Sequence, residues 1–436
     1  MSSIDTWVSE FRARSAQLPG AALPWLAAQR QHAIERFADE GWPTRRHPRW
    51  QHTSLAFMEQ QEFAPAAQPV DGAAALAALR GDETGHWLVF VGGRFAASLS
   101  DIGPLPSGAL VLSLAEALES HSEDIEAAFG NAADGDSPAA LNTALAADGA
   151  FVRLAPGVAL DAPLHLVSIA GASEASRHLR HLVVAGSGAQ ATVVEHYIGG
   201  GQSASLTTAV TRIMAEADAR ITHLKLQQEA EQAIHLASIA SVQARGAHFA
   251  SHSLSFGARL ARNDIRTRFD GEGCEALLNG LYHVDGRRHV DHHTCIDHAR
   301  PLGNSREFYR GLLDGQSRGV FTGRVVVARD AQRSDAMQRC DNLLLSRQAE
   351  ADARPELEIY ADDVKCAHGA TVGEIDEDSL FYLQSRGLDE IHARRLLTYA
   401  FAAEALERIE LMPLRSRARA ALLARLPGGE LLEELL

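Results

Sequence analysis

The chain has 436 residues, 46% hydrophobic and 22% charged, the profile of a soluble globular protein with room for two or three modules. Its 41 basic and 56 acidic residues give a net charge of −15, which argues against nonspecific binding to nucleic acid. There is no apolar run of about 18 residues to span a membrane, the start MSSIDTWVSEFRARS has neither signal nor transit character, and Cys274, Cys295, Cys340 and Cys366 form no CxxC pair and suit a reducing cytoplasm.

Residues 1–60 form an N-terminal helical region, with Trp7, Phe11, Trp25, Leu26, Ile34 and Phe37 at roughly helical spacing and a stop at Gly41-Trp42-Pro43. Residues 61–150 are a mixed α/β segment. HWLVFVGGRFAASLS predicts a hairpin about Gly92-Gly93, LSLAEALESHSEDIEAAF a helix, and GNAADGDSPAA a loop. Residues 151–375 are strand after strand, such as ATVVEHYI, ARITHLKLQ and GVFTGRVVVA, with apolar and polar residues alternating. No ten-residue helix separates them, so repeated βαβ units are excluded and a sandwich, a propeller or a β-solenoid remains. No WD-type repeat favours the propeller, and small residues at the turns suit a β-helix. Residues 376–436 return to helix: DSLFYLQSRG with Gly387 near its end, a longer helix with Asp389 as N-cap, and LRSRARAALLARL after Pro413.

Two motif matches lack their structural context. Gly186-Ser187-Gly188-Ala189-Gln190-Ala191 fits G-x-G-x-x-A, but a strand-like segment follows where a dinucleotide site needs a helix N-terminus. Gly315-Gln316-Ser317-Arg318-Gly319 fits G-x-S-x-G, and again a strand follows, which makes Ser317 a turn residue. In GLYHVDGRRHVDHHTCIDHARP, strand alternation puts His289, Asp291, His293, Cys295 and Asp297 on one face and His292 and His298 on the other. The first face is a metal or proton-handling site, or else a polar ladder or subunit interface. In YADDVKCAHGATVG, Cys366 and His368 share a face with Cα atoms roughly 6.5 Å apart, and Lys365 lowers the thiol pKa if its ammonium comes close. Thiolate and imidazole are both iron–sulfur ligands, but the pair is half a coordination set.

The stretch NLLLSRQAEADARPELEIYADDVKCAHGATVGEIDEDSLFYLQSRGLDEIHARRLLTYAFAAE resembles the C-terminal signature of the SufB/SufD family. GLYHVDGRRHVDHHTCIDHARP, GVFTGRVVV and PTRRHPRW extend the resemblance to most of the chain, and PTRRHPRWQHTSL and HVDHHTCIDH side with SufD over SufB. One departure is Arg339-Cys340-Asp341, which leaves Cys340 without a family role.

The resemblance implies a mainly β fold: a right-handed parallel β-helix core with helical N-terminal and C-terminal regions. It implies SufB and the ATPase SufC as partners, with SufC bound by the C-terminal helices, including Phe381, Tyr382, Arg386 and Gly387. It implies an iron–sulfur cluster built transiently at the SufB–SufD interface, with His368 and Cys366 as this chain's ligands and no cluster in the isolated chain. An interface made for SufB would also admit a second copy of this chain, giving a homodimer. No G-x-x-x-x-G-K-[ST] loop is present, so ATP hydrolysis is expected of the partner and the chain itself is read as a non-catalytic scaffold. The rivals are a metal-dependent enzyme using the strand 289–298, a polysaccharide-acting β-helix enzyme, and a purely structural subunit.

Overall fold

The computed structural model describes residues 3–65, 72–130, 135–170, 175–202 and 204–426. Part of the expected loop, 131–134, and the last ten residues of the C-terminal region, 427–436, lie outside them. From Ala150 to Gly373 the alternating segments form successive strands, each paired in parallel with the strand two further along. Arg220–Glu229 lies beside His248–Ser255, and His289–His298 beside Arg318–Val327. The result is a parallel β-solenoid of about 8 turns, its strands falling in turn into two ten-stranded sheets. This bears out the β-helix over the sandwich and the propeller.

The coils stack in register. His223, Ser251, Leu278, Glu307, Gln338 and His368 are successive ladder partners, one per coil. One corner repeats the same way. Gly188, Asp218, Gly246, Gly273, Leu302 and Arg333 all have positive φ. The N–H of each donates to a carbonyl of the next coil, at Ala217, Arg245, Glu272, Pro301, Gln332 and Asp363. A turn that places a backbone donor over the next coil needs the left-handed conformation, which glycine enters freely and leucine and arginine only at a cost.

The first coils are closed off by antiparallel pairing. His86–Val91 folds onto Arg94–Phe95 about Gly92 and Gly93, the expected hairpin, and Ala109–Ser113 runs against Ala150–Leu154. LSLAEALESHSEDIEAAF forms two helices, Leu114–Ser120 and Ser122–Phe129, because His121 between them leaves helical geometry. Helices also cover the outer faces of both sheets. Trp7 and Phe11 of Ser3–Arg14, Phe37 of Pro24–Glu40 and Leu141 of Ser137–Leu145 bury Leu206, Ile234, Leu236 and Leu260 of one sheet. Gly41 ends the second of these helices at φ 63°. Ala402 and Leu406 of Glu390–Glu407, with Leu414 and Leu422 of Met412–Leu423, bury Leu224, Leu226, Leu254 and Leu312 of the other sheet. Asp389 caps Glu390–Glu407, accepting the His392 N–H at 3.0 Å. No helix among the described residues is long and apolar enough to cross a membrane.

Space between the sheets is filled by side chains of both. Ile221, Phe249, Leu278 and Tyr309 of one sheet meet Ile239, Ile265, Ile296 and Phe321 of the other. Aromatic rings there lie over glycines: a Cβ on Gly280 would fall 2.1 Å from the Tyr309 ring, and one on Gly311 would fall 2.4 Å from that of Tyr282. Gly280→Ala is therefore expected to lower the unfolding free energy by about 1–3 kcal/mol through overpacking, read from urea melts. Unchanged stability would show that the Tyr309 ring moves aside without strain.

Candidate functional site at the open end of the solenoid

Among the described residues the last two strands, Glu350–Ile359 and Lys365–Gly373, each pair on one side only. Ile359, Tyr360 and Val372 are exposed there, whereas the preceding coil buries Val327 and Asn342, the ladder partners of Ile359 and Val372. Cys366 and His368 both lie on Lys365–Gly373 and share its inward face, because their ladder partners Ala336 and Gln338 point between the sheets. Cys366 is half-buried against Val325, Val327, Ala331 and Ala336, whereas His368 is exposed at the rim. Burial raises the Cys366 thiol pKa, a hydrogen bond with the Ala336 backbone opposes it, and Asp335 adds to the rise. The lowering expected from Lys365 is thus overturned: the thiol faces the apolar interior while its neighbour in sequence points the other way.

The histidine-rich strand is His289–His298. Alternation holds, with Val290, His292, Thr294, Ile296 and His298 turned inward and buried. The opposite face meets the N-terminal segment. Thr53 Oγ1 donates to Asp291 Oδ2 at 2.5 Å and lies 2.8 Å from His289 Nε2, and His293 Nε2 is 3.3 Å from Asp291 Oδ1. Arg262 pairs with Asp291, lies 3.8 Å over the Trp50 ring and donates to the Arg49 carbonyl at 2.8 Å. The five ligand-type residues therefore share a face, as expected, but that face docks the segment around PRWQHT. Among the described residues no three His, Cys, Asp or Glu side chains converge as a metal site. Burial opposes ionisation of Asp291, yet Arg262, His293, His289 and the Thr53 hydroxyl outweigh it and hold the carboxyl at about 2. Burial lifts the Cys295 thiol to about 11.

Phe381 and Tyr382 stand exposed on the helix Glu377–Ser385, with Arg386 5.2 Å over the Tyr382 ring and Gly387 turning the chain at φ 97°. Ile391, on the next helix, is also exposed and was not singled out from the sequence. These helices connect to the open end through ion pairs. Glu404 pairs with Arg310, Arg310 with Asp341 at 2.9 Å, and Thr371 of the last strand donates to Asp341 at 2.6 Å.

Sequence reasoning also missed a buried polar network between the sheets. Glu195 accepts from Tyr197 at 2.6 Å and Thr211 at 2.5 Å and lies 3.0 Å from His223. Lys225 donates to Asn263 and lies 5.2 Å over the Tyr197 ring. Glu229 accepts from Thr207 at 2.5 Å, and His235 and Arg177 approach it at 2.7 and 3.4 Å. Burial pushes Lys225 down to about 8 against the pull of Glu195 and Glu229, pushes Glu307 up to about 7 against Thr294 and Gln338, and pushes Cys340 up to about 12. Nearer the rim, Tyr282 donates to Asn342 at 2.5 Å. The alternation in RITHLKLQQE was the available signal: in this strand the polar set faces inward.

Comparison with known proteins gives two matches to family domains. Residues 1–166 match the SufBD protein N-terminal region, and residues 168–401 the SufBD core domain of the SUF system for FeS cluster assembly. The chain is 32% identical over 406 residues to the iron–sulfur cluster assembly protein SufD of Escherichia coli, covering 92% of this chain and 93% of that one. It is 31% identical over 418 residues to an iron–sulfur cluster assembly SufBD family protein of Synechocystis, covering 93% and 92%. It is 27% identical over 412 residues to the chloroplastic protein ABCI7 of Arabidopsis thaliana, covering 92% and 86%.

The Asp291 carboxyl is depressed in the folded chain, so its stabilisation is present above about pH 4 and lost as pH falls through about 2. Asp291→Asn is expected to cost about 2 kcal/mol near neutral pH, with the gap to the parent chain closing between about pH 4 and 2, in urea melts across that range. A pH-independent gap would assign the loss to packing alone.

Proposed function

The chain belongs to the SufB/SufD family and takes part in iron–sulfur cluster assembly, and we propose that it is the SufD-type, non-catalytic scaffold subunit of a SufB–SufC–SufD complex. The observation that carries this reading is the open coil: a thiol and an imidazole share one face of a strand whose outer edge has no partner among the described residues. Two ligands are half of the four that protein ordinarily supplies to a cluster, and an unpaired strand edge is a template for another chain. SufB, docking along this edge, supplies the remaining ligands, and the cluster is a cargo assembled between the two subunits. Cys366 and His368 are this chain's contribution, and the isolated chain holds no cluster. A thiol raised by burial ionises when iron binds it.

SufC docks on the exposed surface formed by Phe381, Tyr382, Arg386 and Gly387 and supplies ATP hydrolysis. Movement of the helix Glu390–Glu407 reaches the cluster strand through Glu404, Arg310, Asp341 and Thr371. Four unpaired cysteines fit a reducing cytoplasm.

Iron and acid-labile sulfide in the complex co-expressed anaerobically with SufB and SufC test the reading. His368→Ala is expected to assemble but lose most of both. Arg310→Met is expected to hold SufC while losing the ATP dependence of iron loading. Equal iron in His368→Ala and parent complexes would make His368 structural and this subunit a mechanical support for SufB. In the absence of SufB the same edges are open to a second copy. Size-exclusion chromatography with light scattering is therefore expected to show a dimer at micromolar concentration, and a strict monomer would count against this use of the edges.

A further inference from the structure

His368 has a buried neighbour with an unspent acceptor. On the coil beneath it, its ladder partner is Gln338, and beneath that lies Glu307. Adjacent rungs are about 4.8 Å apart, so the three side chains form one inward-facing column that ends at the rim. Gln338 is 1% exposed and Glu307 3%. The Gln338 amide nitrogen donates to Glu307 Oε2. Its Oε1 is buried without a hydrogen-bond partner among the described residues. The side chain crosses toward the other sheet, where Gly323 makes room for it: a Cβ there would fall 1.9 Å from Gln338 Nε2. An unpartnered buried amide oxygen is costly, and the next rung up presents a ring with an N–H.

We propose that Gln338 is the positioning residue of the rim site: held from below by Glu307, its amide oxygen takes the ring N–H of His368 and so fixes which ring nitrogen faces the cluster. This rests on the reading of His368 as a cluster ligand. A ligating histidine is usually oriented by a hydrogen bond from its other nitrogen to a carbonyl or carboxylate, and loss of that partner typically weakens metal binding 10–100-fold. Glu307 acts through Gln338 alone. Any acceptor of the same length in its place will hold the amide, whereas an apolar side chain will not.

The test uses the complex with SufB and SufC carrying Gln338→Met, Glu307→Gln, Glu307→Leu or His368→Ala, with complex yield and melting temperature recorded for each. Iron affinity is read by chelator competition and the ligand set by the visible and EPR spectra of the bound cluster. Gln338→Met and Glu307→Leu are expected to bind iron about 10-fold more weakly with altered spectra, while Glu307→Gln behaves as the parent. Parent affinity and spectra in Gln338→Met, alongside loss of iron in His368→Ala, would overturn the proposal and leave the ligand reading standing. Retention of iron by His368→Ala would remove the ligand reading itself. A second measurement needs no core variant. In the full-length free chain with 15N-labelled histidine, the His368 resonance, identified by its absence in His368→Ala, is expected to show one tautomer with a solvent-protected N–H. The tautomer ratio of free imidazole would overturn the proposal.

Discussion

In-register parallel stacking is the constraint on which the rest depends. Once the corner residues of each coil donate to the next, every strand is held at the same height as the one below it. Inward positions then become columns that run the length of the body, and a side chain's neighbours are set by rung rather than by sequence. The column of His223, Ser251, Leu278, Glu307, Gln338 and His368 begins inside a buried ionic network and ends at an exposed rim. A polar residue in such a column must find its hydrogen bond above, below or across the lumen, because water is excluded and an unmade bond is costly. Glu195, Lys225 and Glu229 meet this demand with His223, Tyr197, Asn263, Thr207, His235 and Arg177.

The same geometry explains why helices are needed at both ends of the chain. In Arg220–Glu229 the inward face carries His223, Lys225, Gln227 and Glu229, while Leu224 and Leu226 point outward. Left alone, the outward leucines would form an apolar stripe along the sheet, a surface that invites association. The C-terminal helices bury it, just as the N-terminal helices bury Leu206, Ile234 and Leu236 on the other side. Both sheets are thereby covered on two faces, as parallel sheets require. The last coil is the exception: among the described residues no further coil lies above its inward face.

Much of this architecture was legible in the sequence because it depends on local patterns. Alternation marked the strands, Gly92-Gly93 the hairpin, Gly41 a helix end and Asp389 a cap, since each is a property of a few adjacent residues. What alternation does not carry is direction. It separated His289, Asp291, His293, Cys295 and Asp297 from His292 and His298 without telling which set was inside, and it could not show that Asp291 would be satisfied by Thr53, 238 residues away, and by Arg262 of the neighbouring strand. The corner was equally hidden, because Leu302 and Arg333 adopt at their positions the conformation that Gly246 and Gly273 adopt at theirs. Lys365 misled for a simple reason: adjacent residues on a strand point apart, so proximity in sequence does not bring its charge to the Cys366 sulfur.

The open coil also decides how the site can work. A cluster site completed within one chain would need its remaining ligands to rise from the facing strand, but the inward residues there are Ala351, Ala353, Pro355, Leu357 and Ile359, ladder partners of Gly319, Phe321, Gly323, Val325 and Val327. None of these can bind iron. The facing strand therefore supplies an apolar wall rather than a coordination sphere, and on the proposed reading Cys366 and His368 are a half-site. Such a division, on the proposed reading, suits a cargo that must be released. A fully enclosed four-ligand cage would hold its iron through every motion of the chain, whereas a half-site on an edge strand loses its grip when the partner's half moves away. Rigidity of the stacked coils would sharpen that dependence, because the strand that carries Cys366 and His368 is hydrogen-bonded along its whole inner edge to Asp335–Leu344.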